Sequence, residues 1–146
     1  RFGLDTAMSV GDHIGAAKRY ITRLDTLWLR AVPDRNQRLR FVLASYNAGP
    51  GHIIDAQRLA ERLGLDPKQW ENNVERAVLL LARPRYYMRP EMKNGYCKGS
   101  QVFHHVRDVV AVYEQLVGTH FTKGRTIPEP KAAAPVPTAG PEILMP

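Results

Sequence analysis

The side chains of Tyr46 and Asn47 are adjacent where a predicted helix meets the segment Ala-Gly-Pro-Gly, and their types suit the binding of sugars. Carbohydrates are recognised by planar amides that hydrogen-bond hydroxyl groups and by aromatic rings that cover the sugar face. The glycines at positions 49 and 51 allow a ligand or a second segment to approach the backbone closely. The segment is therefore compatible with one wall of a glycan groove, although Asn-Ala-Gly is also a common way to end a helix.

A second set of aromatic and basic side chains lies in the segment 85–100, which is rich in Tyr, Pro and Gly and predicts a long irregular loop. Loops of this length in a compact domain are often functional. Tyr86 and Tyr96 could stack on sugar rings, or they could pack the loop against the core. Arg85 and Lys98 could meet carboxylates of a ligand, or they could remain solvated.

The sequence predicts neither a metal site nor a cofactor. Cys97 is the single cysteine, so it forms no intrachain disulfide, and we expect a small buried side chain there. A zinc site built from His52, His104 and His105 is conceivable, but their spacing matches no usual pattern of zinc ligands.

The charge balance favours anionic partners. The 146 residues carry a formal net charge of +7 and a pI near 9.9, which suits nucleic acid, acidic lipid surfaces or acidic cell-wall polymers, or simply a solubilising surface. The lysines and arginines form no run of five or six, so we expect no nucleic-acid binding. No stretch approaches the roughly 20 apolar residues of a membrane span. The chain begins with Arg1, so we expect any targeting or anchoring segment to be missing from it.

Apolar spacings of three and four residues predict an all-α domain of about residues 1–121. A first helix over 12–30, capped by Ser9 or Asp12, has its apolar stripe at Ile14, Ala17, Ile21, Leu24 and Trp28. Helices over 34–46 and from Pro50 to Gly64 follow. Asp66-Pro67 is expected to open a fourth helix that reaches Arg83-Pro84, and the last helix is predicted over 101–117. The proline-rich segment 122–146 predicts a flexible tail.

Several of these segments, in the same order, resemble the soluble lytic transglycosylases, a goose-type-lysozyme-like family. Residues 43–51, Leu-Ala-Ser-Tyr-Asn-Ala-Gly-Pro-Gly, are similar to the third motif of the family, and residues 15–20 are similar to the helix that precedes it. The segments 52–60 and 94–99, with Val106-Arg107, resemble the membrane-bound transglycosylase F branch. The resemblance covers about residues 5–121 and identifies them as the C-terminal part of the catalytic domain.

The resemblance implies a lysozyme-like helical fold and cleavage of the β-1,4 bond between N-acetylmuramic acid and N-acetylglucosamine, with a 1,6-anhydro product. One glutamic acid acts first as the acid and then as the base in this family. The family motif assigns Tyr46 and Asn47 to the groove beside that acid, with Ala48 and Gly49 as further substrate-binding positions. Peptidoglycan strands are then the expected partner of a monomer, and the cell envelope, periplasmic or at the outer membrane, is the expected location. A membrane would be reached only through a missing N-terminal anchor.

Two positions depart from the family pattern. The catalytic glutamate should precede the first helix, but the first dozen residues contain none. Five glutamates lie downstream on predicted helices or loops, in other contexts, where we expect them at the surface: Glu61, Glu71, Glu75, Glu91 and Glu114. We therefore expect no general acid in this chain and no activity from the chain alone. In the last helix, His105 stands where the family often has a tyrosine that supports the acid, unless Phe103 is the corresponding aromatic or His105 only lines the groove wall.

Three functions follow in order of preference. The first is a partial catalytic domain of a peptidoglycan lytic transglycosylase. The second is a non-catalytic peptidoglycan-binding module that retains the same half-groove. The third, well below them, is a basic helical scaffold or nucleic-acid-binding protein, whose affinity would fall steeply with rising salt.

Overall fold

The computed structural model describes residues 9–121, and each regular element in that part of the chain is a helix. The helices are α1 (Val10–Trp28), α2 (Arg35–Ala48), α3 (Pro50–Arg62), α4 (Glu75–Leu80), α5 (Pro84–Tyr87) and α6 (Gly99–Phe121). The all-α prediction is confirmed, and the arrangement is consistent with the lysozyme-like domain that the resemblance implies. The tail predicted at 122–146 lies outside the described residues, so the domain boundary at 121 stays a prediction.

Local capping chemistry decides where α1 begins. The Ser9 hydroxyl accepts a hydrogen bond from the Asp12 backbone N–H at 3.1 Å, and the Ser9 backbone N–H donates to the Asp12 carboxylate at 3.4 Å. This reciprocal pair satisfies two of the backbone donors that a helix start leaves free. Of the two predicted caps the structure uses Ser9, and α1 starts two residues earlier than expected.

The apolar stripe of α1 is only partly buried, which corrects the sequence prediction. Leu24 and Trp28 are 3% and 2% exposed, whereas Ile14 and Ile21 are 64% and 44% exposed. Periodicity identifies an apolar face of a helix but carries no information on whether another element covers it. Among the described residues, the face of α1 that contains Ile14 and Ile21 remains largely open to solvent.

Helix α2 lies at the centre of the fold and contacts α1, α3 and α6. Its Phe41 ring packs between Trp28 and Trp70, with ring centroids 5.1 and 5.5 Å away. Each of these side chains is at most 2% exposed, and truncating such an aromatic typically costs about 3–5 kcal/mol. The Trp28 indole N–H donates to the buried Ser45 hydroxyl at 2.8 Å, which fixes the last turn of α2 against α1.

The helix predicted from Asp66-Pro67 to Arg83 is shorter and irregular at its start. The Asp66 carboxylate accepts from the Lys68 N–H at 2.9 Å, so this residue forms a local turn instead of a helix cap. Trp70 to Val74 form an irregular turn in which Asn72 has a φ of 61°. Regular helix begins only at Glu75, because a left-handed residue interrupts the hydrogen-bond ladder before it.

Between α4 and α6 the chain is mostly irregular, as predicted for 85–100, apart from the short helix α5. Within residues 9–121, none of the helices combines the length and the apolar character of a membrane span. Helix α6 starts at Gly99, where an added Cβ would lie 2.2 Å from the Val78 carbonyl oxygen. This close approach packs the start of α6 directly onto the backbone of α4.

Candidate functional site

The corner between α2 and α3 presents Tyr46 and Asn47 to solvent. Gly49 turns the chain there with a φ of 96°, and its N–H donates to the Ser45 carbonyl oxygen at 2.8 Å. A side chain at position 49 would be strained by this backbone conformation. Tyr46 is 41% exposed and its ring lies against Tyr20 of α1, with the centroids 5.7 Å apart. The last turn of α2 is thus held rigidly while its polar groups face outward.

Asp55 of α3 is fully buried and binds the backbone of the loop 88–98. Its carboxylate accepts from the N–H groups of Lys93 and Asn94, at 3.0 and 2.8 Å, and from the Asn94 side-chain amide at 3.1 Å. The Arg58 guanidinium adds an ion pair at 3.2 Å. Four donors therefore satisfy the buried carboxylate, as a buried charge requires. The role of Asp55 has no local sequence signal, because the loop amides that it binds lie almost 40 residues away.

The side-chain amide of Asn94 also reaches the first turn of α3, where it donates to the Gly51 carbonyl oxygen at 2.8 Å. A Cβ at position 51 would lie 2.4 Å from the Asn94 side-chain oxygen. Gly51 therefore permits the approach of a second segment, as its residue type indicated. We call these contacts of Gly51, Asp55 and Asn94 the loop clamp. Farther along, the Cys97 N–H donates to the Leu81 carbonyl oxygen at 3.1 Å, so the loop is held in its middle and near its C-terminal end.

A pocket of about 260 Å³ opens between the end of α2, the first turn of α3, the clamped loop and the first turn of α6. Its lining residues are Asn47, Ala48, His52, Tyr96, Cys97, Lys98, Gln101 and Val102. The structure thus brings together three of the residues predicted to bind substrate, Asn47, Ala48 and Tyr96. Tyr46 and Gly49 are the sequence neighbours of Asn47 and Ala48 but do not line the pocket themselves.

The two loop tyrosines differ in exposure. Tyr96 is 52% exposed, and its ring meets Tyr87 edge-on at 5.8 Å, which leaves a ring face available to a ligand. Tyr86 is 2% exposed, so of the two roles left open for it the structure favours packing of the loop against the core over stacking on a sugar. Tyr86 lies in α5, whose single turn directs this side chain into the core.

Further polar groups complete the pocket. The Nδ1 atom of His52 is buried and has no hydrogen-bond partner, which is uncommon and usually costly for a polar atom. Lys98 and Gln101 approach from the loop and from α6. Their convergence has no local sequence signal, because His52 and Gln101 are separated by almost 50 residues.

Cys97 is 2% exposed, as its residue type predicted. Burial, with a smaller contribution from the negative charge of Asp55, raises the pKa of the Cys97 thiol to about 11. The thiol therefore stays protonated at neutral pH and is a poor nucleophile.

None of the glutamates within residues 9–121 lines the pocket. Glu75 is 5% exposed, which corrects the expectation that it lies at the surface. Burial is the main cause of a raised pKa for Glu75, and the hydrogen bond from the Asn72 backbone N–H, 2.7 Å from the carboxylate, acts in the opposite direction. The positive charge of Arg107 on α6 also acts on this carboxyl, and Glu75 is not among the residues that line the pocket.

The histidines of α6 lie outside the pocket lining. His105 is half-buried, and His104 is exposed, with its ring edge against Phe103 at 5.3 Å. Phe103, the alternative for the supporting aromatic position, is 1% exposed and lies under the Arg107 guanidinium at 4.6 Å. Among residues 9–121, no group of three or more His, Cys, Asp or Glu side chains is placed to hold a metal ion.

A larger open groove of about 750 Å³ lies between α1, α2 and the outer part of α6. Its main charged groups already pair with each other, because the Arg38 guanidinium contacts the Asp25 carboxylate at 2.8 Å and also donates to the carbonyl oxygens of Val32 and Pro33. These contacts explain the groove as a structural junction between α1 and α2. The smaller pocket, with its unpartnered polar groups, is therefore the better candidate for a binding site.

No protein-family model matches the chain. Its sequence is 42% identical over 118 residues to a protein named membrane-bound lytic murein transglycosylase F from Shewanella frigidimarina, covering 79% of this chain and 23% of that protein. The proteins of the same name from Shewanella loihica and Aliivibrio fischeri are 32% and 33% identical over 117 and 126 residues, which cover 80% and 79% of this chain and 24% of each of them. The chain thus spans about a quarter of the length of the curated relatives it matches. The resemblance to this branch is confirmed over about four-fifths of the chain.

Proposed function

On the similarity of this chain to a segment of the membrane-bound lytic murein transglycosylase F proteins, we propose that it forms one wall of the peptidoglycan groove of a lytic transglycosylase. The observation that carries the proposal is the pocket in which Asn47 and Tyr96, far apart in sequence, meet beside the exposed Tyr46. An amide, a phenol and an exposed ring face are the groups that an N-acetylated sugar requires.

The reaction we propose for the longer protein is cleavage of the β-1,4 bond between N-acetylmuramic acid and N-acetylglucosamine, with formation of a 1,6-anhydro sugar. The general acid would be a glutamate preceding this chain, because none of the described glutamates lines the pocket. The role of this chain is then to bind and orient the glycan strand. Correct placement of the reacting groups contributes several kcal/mol to such a reaction.

In this proposal Asn47 hydrogen-bonds the acetamido or hydroxyl groups of a sugar, and the Tyr46 hydroxyl lies beside the acid. Tyr96 covers a ring face from the opposite side of the pocket. Ala48 and Gly49 supply backbone at the corner, where the lack of large side chains lets the strand approach. His105 is half-buried on α6, and we assign to it the supporting hydrogen bond to the acid that a tyrosine makes in the family.

A non-catalytic peptidoglycan-binding module is the second candidate, and the absence of a glutamate from the pocket lining favours it. In both cases the partner is a peptidoglycan strand and the location is the cell envelope, periplasmic or at the outer membrane. Any membrane attachment would come from another segment of the longer protein, and this chain would act as a monomer.

The proposal is tested by co-sedimentation of the chain with purified sacculi. We expect Asn47→Ala and Tyr96→Ala to weaken binding by about threefold to tenfold, since each removes a direct contact worth about 1 kcal/mol. Asn36→Ala, an exposed position at the other end of α2, is the matched control and should bind like the unmodified chain. Failure of the unmodified chain to sediment with sacculi would exclude both candidate functions.

Catalysis is tested on the chain joined to an upstream segment that supplies the glutamate. Release of 1,6-anhydro muropeptides from sacculi separates the enzyme from the binding module. Products with reducing ends only would exclude a transglycosylase.

A further inference from the structure

Asn94 is followed by Gly95, and it is the single asparagine of the sequence that precedes a glycine. The backbone nitrogen that follows an asparagine can attack the side-chain carbonyl carbon, Cγ, and close a succinimide ring. A glycine in the second position favours this reaction, because no Cβ shields its nitrogen and its backbone adopts conformations that other residues avoid. Asn94 is therefore the asparagine of this chain with the highest intrinsic tendency to deamidate.

The loop leaves the attacking nitrogen of Gly95 unengaged. Gly95 has a φ of 71°, and no other part of the described chain lies within 4 Å of the position that a Cβ would take there. Within residues 9–121 the Gly95 N–H donates no hydrogen bond. Asn94 itself is exposed to solvent, so water and hydroxide reach the pair.

The leaving group, in contrast, is held by the loop clamp. The Asn94 Nδ2 donates to the Gly51 carbonyl oxygen at 2.8 Å and to the Asp55 carboxylate at 3.1 Å. The backbone N–H of Asn94 donates to the same carboxylate at 2.8 Å, which fixes the side chain relative to its own backbone. Because Nδ2 must depart when the ring closes, both of its hydrogen bonds have to break first. Local opening of the loop therefore precedes the reaction.

We propose that Asn94 is a deamidation site, that opening of the loop clamp controls its reaction, and that the product keeps the clamp open. The Gly95 nitrogen gives its proton to hydroxide and bonds to Asn94 Cγ. The Cγ–Nδ2 bond breaks, and Nδ2 takes a proton from water and leaves as ammonia. Water then opens the succinimide at either carbonyl carbon, which gives aspartate or isoaspartate at position 94.

The product cannot form the loop clamp again. An aspartate has no N–H for the Gly51 carbonyl oxygen, and its carboxylate would lie where the Asn94 amide now meets Asp55. Two carboxylates at such a distance repel each other. In isoaspartate the backbone gains a methylene group, which shifts Tyr96 and Lys98 along the loop. Deamidation thus releases the segment that carries two of the residues lining the pocket, a control that goes beyond the proposed function.

The site is tested by peptide mapping of the chain after incubation in mildly alkaline buffer. Trypsin cleaves after Lys93 and Lys98, so the mass of peptide 94–98 reports conversion of the amide to the acid, and digestion at mildly acidic pH limits further reaction. In the chain unfolded by guanidinium, we expect position 94 to react fastest of all the asparagines. In the folded chain its reaction should be about tenfold slower or more, since opening of the clamp must come first.

Two variants of the clamp test its control of the reaction. Gly51→Ala displaces the Asn94 side chain, and Asp55→Asn weakens the acceptor of its amide. Both should raise the folded-state rate at position 94 towards the unfolded rate, with circular dichroism confirming that each variant is folded. Gly15→Ala, a helical glycine remote from the loop, is the matched control and should react like the unmodified chain. Equal rates in the folded and unfolded chains, or an unchanged rate in Gly51→Ala, would overturn the inference.

The consequence of the reaction is tested with Asn94→Asp, which has the sequence of the aspartate product. We expect this variant to unfold at a lower urea concentration and to exchange the Lys93 amide hydrogen faster than the unmodified chain. Asn36→Asp, at an exposed position in the first turn of α2, is the control and should do neither. An Asn94→Asp chain as stable as the unmodified one would show that the product leaves the clamp closed. None of these measurements involves a glycan, so they stand or fail independently of the proposed function.

Discussion

The loop 88–98 and the outer face of α1, formed by Val10, Ile14 and Ile21, are held to the fold in opposite ways. The loop has little regular structure, yet a buried carboxylate binds its backbone amides and its side chains pack against α3. Helix α1 is regular over 19 residues, yet Val10 and Ile14 are 75% and 64% exposed. A regular backbone therefore does not indicate how firmly a segment is held. The number of satisfied buried contacts indicates how firmly a segment is held.

This difference bears on function because the pocket depends on the loop. Tyr96 and Lys98 line the pocket from the loop that Asn94 binds to α3, and we expect them to keep these positions only while that contact holds. Substitutions in the loop clamp should therefore change both stability and binding, whereas substitutions on the outer face of α1 should change neither by much.

Asp55→Ala should have the largest effect. Its removal leaves the partly buried N–H groups of Lys93 and Asn94 without an acceptor, and we expect a loss of about 3 kcal/mol in the free energy of unfolding. Ile14→Ala, on the outer face of α1, should cost less than about 0.5 kcal/mol. Urea denaturation measures both, with Asp55→Asn as an intermediate variant that keeps one acceptor oxygen. Equal losses of unfolding free energy in Ile14→Ala and Asp55→Ala would contradict the comparison of the loop with the outer face of α1.

Replacing two helical glycines with alanine should change the free energy of unfolding in opposite directions. Gly51→Ala places a methyl group against the Asn94 side chain, 2.4 Å from its oxygen, so we expect a loss of about 1–3 kcal/mol. Gly15→Ala meets only the flexible end of Arg19, at 3.4 Å, and should gain about 0.5–1 kcal/mol from helix propensity. Thermal unfolding shows whether each variant is stabilised or destabilised. Hydrogen exchange at the amides of Lys93 and Asn94 should accelerate only in Gly51→Ala. A stabilised Gly51→Ala would show that the close contact with Asn94 is absent.

The smallest effect concerns the pH dependence of stability. Burial raises the pKa of Glu75 in the folded chain, so the neutral form is favoured by folding. The corresponding stability is fully present below pH 4.5, the usual pKa of the group, and is lost as the pH rises through the folded pKa. Glu75→Gln cannot ionise and should therefore gain stability relative to the unmodified chain as the pH rises above 4.5. Glu61→Gln, at an exposed position, should show no such pH-dependent gain. A stability difference between Glu75→Gln and the unmodified chain that does not change with pH would refute the raised pKa of Glu75.

The helix ends were largely predictable because they depend on neighbouring residues. Ser9 caps α1, Asp34 caps α2, and Pro50 opens α3 after a glycine with positive φ. These features require only a few residues of sequence. By contrast, the exposure of Ile14 depends on which elements cover α1, and local spacing contains no such information.

The site was predicted less completely than the fold. Asn47 and Tyr96 were identified from their chemistry, and both line the pocket. Tyr86 and Tyr96 were equivalent in sequence, but the single turn of α5 buries one and leaves the other exposed. His52 and Lys98 were not recognised as neighbours, because the loop clamp that joins them forms through contacts of long sequence separation.

The most direct test of the binding assignment is a two-dimensional amide NMR titration of the chain with a disaccharide-tetrapeptide released from peptidoglycan by a muramidase. The account predicts the largest shift changes at the amides of Asn47, His52, Tyr96 and Gln101, with little change at Thr22 and Asn36 in the larger groove. Shift changes centred on Thr22 and Asn36, with an unperturbed pocket, would contradict it.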